Sequence, residues 1–579
     1  MTVSPSTWKA RRLVRGRAAA LCVAAAVTVG IAARLYVLDR SPIFVSDTFQ
    51  NLLLARSLWA GAGFQSGGAE HPDASRAVLF PSVVALVAPI AGDVEAAARW
   101  VVVLAGALSV VPLFMLARSM FGPRAALGAL PLGAVSCLVA ASDRLLATSL
   151  YVLLALTAAA LAWRARSAGS LSGWVAPGFF AGLAALARPE GLAFPFAFAL
   201  WSVLDGGRPR RGFGRRAAGA GVVLAAALAV YAPYAAWSSA RLGRFAPAPG
   251  IAYVQMERIV SDHLGLREIP SPVAWTERAR FMLTADHRAL YLETAFLTGR
   301  FPAPDPESVP AGRELQTGAP ITGPVSAAPG WWNLVLRRWY ILRSNILLLP
   351  RKAAWDHFLP PMVAALALIG LVFAPRTRRG RAAVGFLLLT TLAALSPVVS
   401  HLESRFYLVP FGLGTVLAAG GWAALGNALA RSHRGRLDAV LRVAAQAVVI
   451  AGIAISGLRH EPPQLPARAR IDLLRREGAA LSALLPTGPV LAIQPHLPYW
   501  AGHPYRPIPA ASPSAILDYA RSQGARGLAL EGARDLEQRP DLEWLVRDDR
   551  PPEFRIVRRT PHSSGGELLV FEIAASRTS

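Results

Sequence analysis

Cysteine is nearly missing from this chain: 579 residues contain two, Cys22 and Cys137, and both lie inside apolar runs. No disulfide framework can be built from them, and a structural zinc site needs more ligands than they supply. Charge is scarce too. Only 16% of the residues are charged, against about a quarter in soluble domains, and acids are the rarer sign, 35 against 60 basic residues. With 54% hydrophobic residues and a mean hydropathy of +0.40, the composition is that of a membrane protein. The chain also lacks a Gly-rich phosphate loop, a GxSxG and an HExxH, so soluble nucleotide and hydrolase chemistries have no support. No repeat of solenoid period is present.

What is abundant is arginine, and its placement matters more than its number. A net charge of +25 suggests nucleic acid in a soluble chain. Here the arginines sit in short hinges between apolar runs, such as RPRRGFGRR at 208–216 and PRTRRGR at 375–381. Scattered hinges make no single basic patch, which argues against a nucleic-acid partner. They fit the positive-inside pattern of cytoplasmic loops.

A helix needs about 20 apolar residues to cross a bilayer. Candidate spans are 18–38, 97–117, 124–142, 147–163, 173–187, 190–204, 217–237, 357–374, 382–399, 406–429 and 438–457, which makes about eleven crossings by hydropathy. With the basic segment 1–17 in the cytoplasm, the hinges at 118–124, 163–167, 208–216, 375–381 and 431–436 all fall on the cytoplasmic side. The first apolar run lacks a small-residue cleavage site and reads as a retained signal anchor. Residues 78–91, short and interrupted by Pro81 and Pro89, read as a membrane-surface or re-entrant helix, since counting them as a span would break the agreement.

The expected architecture is therefore an α-helical polytopic membrane domain over 18–458, with external loops at about 39–96 and 239–355. A small C-terminal extracytoplasmic α/β domain follows at 459–579. In that tail 471–485 and 514–525 have helical periodicity, 488–494 and 526–532 read as strands, and FRIVRRT and ELLVFEI as a closing pair. Multi-pass insertion in the cytoplasmic membrane makes membrane lipids the first partner.

Three polar clusters fall on the external side. Asp47 heads SDTFQNLLLARSLWAGAGF, where Leu52, Ala55, Leu58 and Trp59 recur at helical spacing. With Gln50 it has the form of a capping box; a lone acid at the mouth of a bundle is equally where a general base would stand. Arg188 and Glu190 share the turn LARPEGLAF, either as a mutual ion pair or as a forked donor for an anionic group. Arg405 and Tyr407 lie in HLESRFYLVP, where Glu403 offers a neutralising partner. Adjacent Asp-His pairs at 262–263, 286–287 and 356–357, and His71 with Asp73, make no metal site by themselves.

In combination these segments resemble bacterial membrane glycosyltransferases of the GT-C superfamily. The similarity is to the branch of protein O-mannosyltransferase and aminoarabinose-transferase relatives, glycosyltransferase family 39-like. Asp47, Phe49, Ala55, Arg56 and Gly63 match the pattern after the first span. Arg76, Leu79, Phe80 and Pro81 match an Arg-Pro-Pro-Leu-Tyr-Pro-like segment, with Ala77 and Val78 in place of its prolines. LARPEGL resembles a Thr-Arg-Pro-Glu-Gly turn, and ESRFYLVP a late Arg-Tyr-x-x-Pro element. Relatives often carry an acid at the outer start of the fourth span, near Thr148 here, with Asp143 offset.

The resemblance implies a hexosyl- or pentosyltransferase using a polyprenyl-phosphate sugar donor, with a lipid, glycan or protein acceptor. It implies Asp47 as general base and Arg188, Glu190, Arg405 and Tyr407 as substrate ligands, with Arg56 and Arg76 as helpers. It leaves room for a divalent metal ion with no assigned ligands. The other reading of such a chain is a polytopic transporter, flippase or polysaccharide-assembly protein without transferase chemistry; transporters place ionisable groups near mid-membrane, whereas the acids and arginines here stand at one edge.

Overall fold

The computed structural model describes residues 5–40, 46–65, 77–134, 145–168, 170–204, 212–241, 361–396, 408–432, 465–508, 512–531, 535–536, 540–547, 549–561 and 567–574. The helical part comprises α1 (Pro5–Arg40), α2 (Ser46–Trp59), α3 (Leu79–Ala91), α4 (Val94–Leu108), α5 (Val110–Phe121) and α6 (Pro123–Ala134). It continues with α7 (Thr148–Ala168), α8 (Val175–Ala187), α9 (Ala193–Leu204), α10 (Phe213–Arg241), α11 (Pro361–Phe373), α12 (Arg378–Ala394) and α13 (Leu408–Ser432). Among the described residues five helical stretches are long and apolar enough to cross a membrane: Arg17–Tyr36, Val94–Phe121, Thr148–Arg166, Phe213–Ala240 and Leu408–Ala428.

Local chemistry explains the breaks. The Asp93 carboxylate accepts from the Ala96 amide at 2.8 Å and opens α4. Gly122, at φ 96°, ends α5 in a conformation that favours glycine. The Thr377 hydroxyl accepts from the Gly380 amide at 2.9 Å and opens α12.

Two expected spans are shorter than hydropathy suggests. α8 and α9 have 13 and 12 residues, about 20 Å each at 1.5 Å per residue, below the ~30 Å of hydrocarbon. Pro189 ends the first of them and a 3-10 turn, Pro189–Leu192, separates the two. The proline-containing segment at 78–91 is helical as α3; it buries Phe80, Pro81, Val84 and Ala88 and leaves Leu86 and Ile90 exposed. The expected span at 438–457 and nearly all of the loop at 239–355 lie outside the described residues.

The basic hinges meet at one end of the bundle. Arg124 hydrogen-bonds Asn427 near the end of α13, and Arg379 donates to Ser119 O near the end of α5. Arg166 lies 4.7 Å from the Trp163 ring and 5.8 Å from that of Trp201, at the ends of α7 and α9. The long stretches α4–α5, α7 and α13 run from this end toward an opposite one. That opposite end collects the start of α7, the Arg188 turn, the start of α4 and α2.

Small residues let the helices close up. A Cβ on Gly421 would overlap Leu366 O and one on Gly370 would overlap Leu417 O, so α11 and α13 cross backbone to backbone. Gly178 and Gly182 do the same for α8 against α10.

The C-terminal part holds α14 (Leu465–Leu484), β1 (Val490–Ala492), α15 (His496–Ala501), β2 (Tyr505–Pro507), α16 (Pro513–Ser522) and β3 (Gly527–Glu531). After a 3-10 turn at Pro540–Val546 come β4 (Phe554–Pro561) and β5 (Glu567–Ile573). The sheet order is β2-β1-β3-β5-β4. β1 is parallel to both β2 and β3, whereas β5 is antiparallel to β3 and β4. The sequence reading has no counterpart for α15 and β2. Their HLPYWA and YRP segments are too short for periodicity, and Pro507 is tolerated because β2 is an edge strand.

Alternation along the strands gives the sheet two apolar faces. Leu491, Leu528, Leu530, Leu569 and Phe571 pack with Ile516 and Leu517 of α16. Val490, Ala492, Ala529, Leu568 and Val570 pack with Leu474 and Leu481 of α14, and the same cluster runs on into Phe49, Phe80 and Val101–Val103. One apolar cluster thus takes residues from both sides of position 459, while the other face of the sheet has a core of its own. On the α14 side Glu477 accepts from Arg558 at 2.5 and 3.0 Å and from Thr560 at 3.1 Å.

Two outcomes follow from this packing. Gly421→Val should destabilise the protein by about 1–3 kcal/mol through overpacking, lowering Tm in detergent. Gly414→Ala, where nothing lies within 4 Å, should leave it unchanged or slightly higher. The Arg558 hydrogen bonds hold the Glu477 carboxyl below its ordinary value of 4.5, so it stabilises the fold above that pH and loses its contribution as pH falls through the lower folded value. Glu477→Gln should therefore lower Tm at neutral pH, with the gap to wild type closing in acid, as thermal unfolding across pH reads.

Candidate active site at the end opposite the basic hinges

Arg188 is held where α8 stops. Its backbone is extended (φ −154°, ψ 137°), since the following Pro189 disfavours helix there. The guanidinium grips Glu190 with both arms, Nη2 to Oε1 at 2.7 Å and Nε to Oε2 at 3.3 Å. Both side chains are largely buried, 12% and 14% exposed, so each charge offsets the desolvation of the other. Nη1 donates to the Thr148 hydroxyl at 3.3 Å, joining the start of α7 to the end of α8. Thr148 is the position where the resemblance leads one to expect an acid; a neutral hydroxyl takes the arginine instead. Tyr151, one turn on, places its ring 5.8 Å from the guanidinium. Its buried hydroxyl has no hydrogen-bond partner among the described residues.

Asp47 is the second residue of α2, inside the first turn rather than at the cap position, where a carboxylate is favoured by the helix dipole. The Asn51 side chain donates to its carbonyl oxygen at 2.8 Å. Asp47 is partly buried, and Thr48 and Phe49 beside it are fully buried. Phe49 shares one apolar cluster with Phe80 of α3 and with Leu145, Ala147 and Leu150 around the start of α7. That cluster brings the Asp47 helix and the Thr148–Arg188 contact to the same end.

Arg56, two turns after Phe49, is turned toward the C-terminal part. Its Nη1 donates to Tyr499 O at 3.1 Å and its guanidinium lies 4.1 Å from the centre of the Tyr499 ring. Burial pushes the Tyr499 phenol up to about 12, partly offset by the Arg56 charge, so the ring stays neutral beside it. Arg76, Arg405 and Tyr407 lie outside the described residues, as do Asp143, His71, Asp73 and the three Asp-His pairs.

Sequence reading missed several polar groups near this end. Glu95 accepts from Arg99 at 2.8 Å and from Arg475 of α14 at 2.6 Å. The His496 Nδ1 lies 3.0 Å from Glu531 Oε1, both buried. Further into the bundle Arg34, fully buried, donates to Gly30 O at 3.0 Å, and a Cβ on Gly106 would collide with it. Arg34 was legible as a lone charge at the end of the first apolar run. The others are ordinary surface-type residues until the chain folds. Among the described residues no three His, Cys, Asp or Glu side chains gather as metal ligands. Glu190 is already neutralised by arginine, so the Arg188 cluster does not suit a cation.

Residues 72–237 match the family model of the dolichyl-phosphate-mannose-protein mannosyltransferases. The matched stretch contains Arg76, Arg188 and Glu190 and stops short of Asp47. No curated protein matches the sequence. Among solved structures, ArnT from Cupriavidus metallidurans in the apo state is similar at TM-score 0.53 and 14% identity, over 97% of this chain and 99% of that one. The oligosaccharyltransferase AglB from Archaeoglobus fulgidus, in complex with an inhibitory peptide and a dolichol-phosphate, is similar at TM-score 0.52 and 13% identity, over 97% and 75%. The same enzyme complexed with Zn and sulfate aligns at TM-score 0.54 and 11% identity, over 95% and 72%. At such identities the likeness is one of fold. Family model and fold agree with the motifs: the chain resembles the GT-C membrane glycosyltransferases.

Removing one member of the buried pair strands the other. Arg188→Ala should cost about 3–5 kcal/mol, seen as a lower Tm in detergent. The double variant Arg188→Ala/Glu190→Gln should recover about 1–3 kcal/mol of the summed single losses.

Proposed function

We propose that this chain is an integral membrane glycosyltransferase that moves a sugar from a polyprenyl-phosphate-linked donor to an acceptor on the extracytoplasmic face, with inversion. The observation that carries the reading is the Arg188–Glu190–Thr148 cluster at the same end of the bundle as Asp47, in a fold shared with membrane glycosyltransferases. The dolichol-phosphate bound by the archaeal relative supports a prenyl-phosphate donor.

In this reading Asp47 takes the proton of an acceptor hydroxyl as general base. The freed oxygen attacks the anomeric carbon from the face opposite the phosphate, which inverts that centre. The carbon–oxygen bond to phosphate breaks, and its electron pair leaves on the polyprenyl phosphate. Arg188 holds the charge that develops there, Glu190 keeps the guanidinium in place, and Arg405 and Tyr407 complete the phosphate site with Arg76 as a helper. The lipid tail lies between helices. No step is routed through a divalent ion; the zinc of the archaeal relative makes a divalent ion a proposal of the same kind, with no ligands assigned.

The finer topology belongs to this reading: about eleven crossings of the cytoplasmic membrane by hydropathy, the N-terminus inside and the C-terminal α/β domain outside. The gathering of the basic hinges at one end supports that sidedness.

The test is sugar transfer from radiolabelled polyprenyl-phosphate monosaccharides in membranes carrying wild type or Asp47→Asn. Asparagine keeps the size of the side chain and gives up only about 0.3–1 kcal/mol of helix-dipole stabilisation, so the fold is spared while the base is lost. Transfer by wild type should fall by about 10²–10⁴-fold in the variant. Retained transfer in Asp47→Asn would move the base to another acid, and no transfer from any donor would favour transport.

A further inference from the structure

α2 has 14 residues, a length at which an isolated helix is marginal in water. Its position must come from packing. Against the bundle it contacts α3 and α4; on its other side it meets α15 of the C-terminal part. There the Phe49 ring lies in an aromatic cradle, with centroids 4.6 Å from His496, 5.3 Å from Tyr499 and 4.9 Å from Trp500, at angles of 53–82°. Arg56 follows Phe49 by seven residues, two helical turns, and so stands on the same face. It grips Tyr499 by ring and carbonyl together.

The cradle is itself tied down. His496 is bound to Glu531 at the end of β3, and the Glu531 amide donates to Asp535 Oδ2 at 2.7 Å. Arg475 of α14 joins Glu95 of α4 and lies 5.5 Å from the Trp500 ring. A continuous line of contacts therefore runs from the end of a sheet strand, through His496, to the residue two places after Asp47.

We propose that the C-terminal α/β domain is a clamp on α2: the His496–Tyr499–Trp500 face of α15, with Phe49 and Arg56, sets the position of Asp47. These are positioning residues, and their role in transfer rests on the functional reading above. A domain placed this way is part of the catalytic apparatus, not an appended module.

The experiment uses the full chain in detergent or vesicles: wild type, Phe49→Ala, Tyr499→Ala, their double variant, and Tyr499→Phe, which keeps ring and carbonyl. Hydrogen exchange read by mass spectrometry decides the clamp. Amides of 46–59 should exchange at least about tenfold faster in both alanine variants, with α13 (408–428), which packs in a different apolar cluster, unchanged as the internal control and Tyr499→Phe close to wild type. Unchanged exchange in α2, or equal acceleration throughout the chain, would overturn the proposal.

Transfer kinetics from the polyprenyl-phosphate donor then decide what the clamp serves. kcat should fall by about ten- to a hundredfold, the cost of a small misplacement, with the donor KM changed less than about twofold. The double variant should be no worse than the poorer single one. A rise in KM with kcat intact, or multiplied losses in the double variant, would overturn the positioning role. Faster α2 exchange in a protein that transfers no sugar would uphold the clamp while sinking the transferase reading, so the two failures are distinct.

Discussion

One apolar cluster joins Phe49, Phe80 and the inner face of α4 to Val490, Ala492, Ala529 and Val570 on one face of the sheet. Burial of this kind contributes roughly 25 cal/mol for each Å² removed from water and has no direction, so it cannot say which polar group sits where. It does bring three separate parts of the chain together: a short helix after the first span, a proline-interrupted helix, and a tail that begins some 400 residues later. The aromatic contacts of Phe49 and the ion pairs of Glu95 and Arg188 lie at the edges of that packing. They supply the direction that apolar burial lacks.

Charges within such surroundings are held in pairs. Arg188 and Glu190 are bidentate and mostly buried, and Glu477 answers Arg558 under the sheet. Arg34, in the bundle interior, is received by backbone carbonyl oxygen and by the space left at Gly106. In low dielectric an unmatched charge is costly, so each of these arrangements restricts how the neighbouring helices pack. The basic hinges at the opposite end obey a looser rule, with Arg124 and Arg379 satisfied by an amide and a carbonyl at exposed sites.

Likeness of fold at 11–14% identity is reasonable for a bundle of this type. Apolar side chains facing lipid or core exchange freely, whereas close crossings such as α11 on α13 constrain a few glycines. The segments that match the family pattern are short: an acid after the first apolar run, an Arg-Pro-Glu-Gly turn, a late Arg-Phe-Tyr element. Their order along the chain carried the resemblance, and two of those segments are now seen at one end of the bundle.

Periodicity and hydropathy were enough for the described apolar helices, the strands β1, β3, β4 and β5 and the short helix at 78–91, because each depends on residues near one another in sequence; for Arg188 and Glu190 they left a mutual ion pair as one of two alternatives. α15 and β2 were not legible, since six and three residues carry no period and prolines disguise both. Nor was the true reach of α8 and α9, which a hydropathy window cannot separate from a full crossing. The partners of Phe49 and Arg56 lie more than 440 positions away, a separation no local pattern spans. The sequence by itself determined that this is a basic, helical protein with several apolar spans, an acid after the first of them and an arginine turn further on. Only the tertiary structure decided that Thr148 meets Arg188 and that the tail packs against the Asp47 helix, because those contacts form only when the apolar cluster has closed.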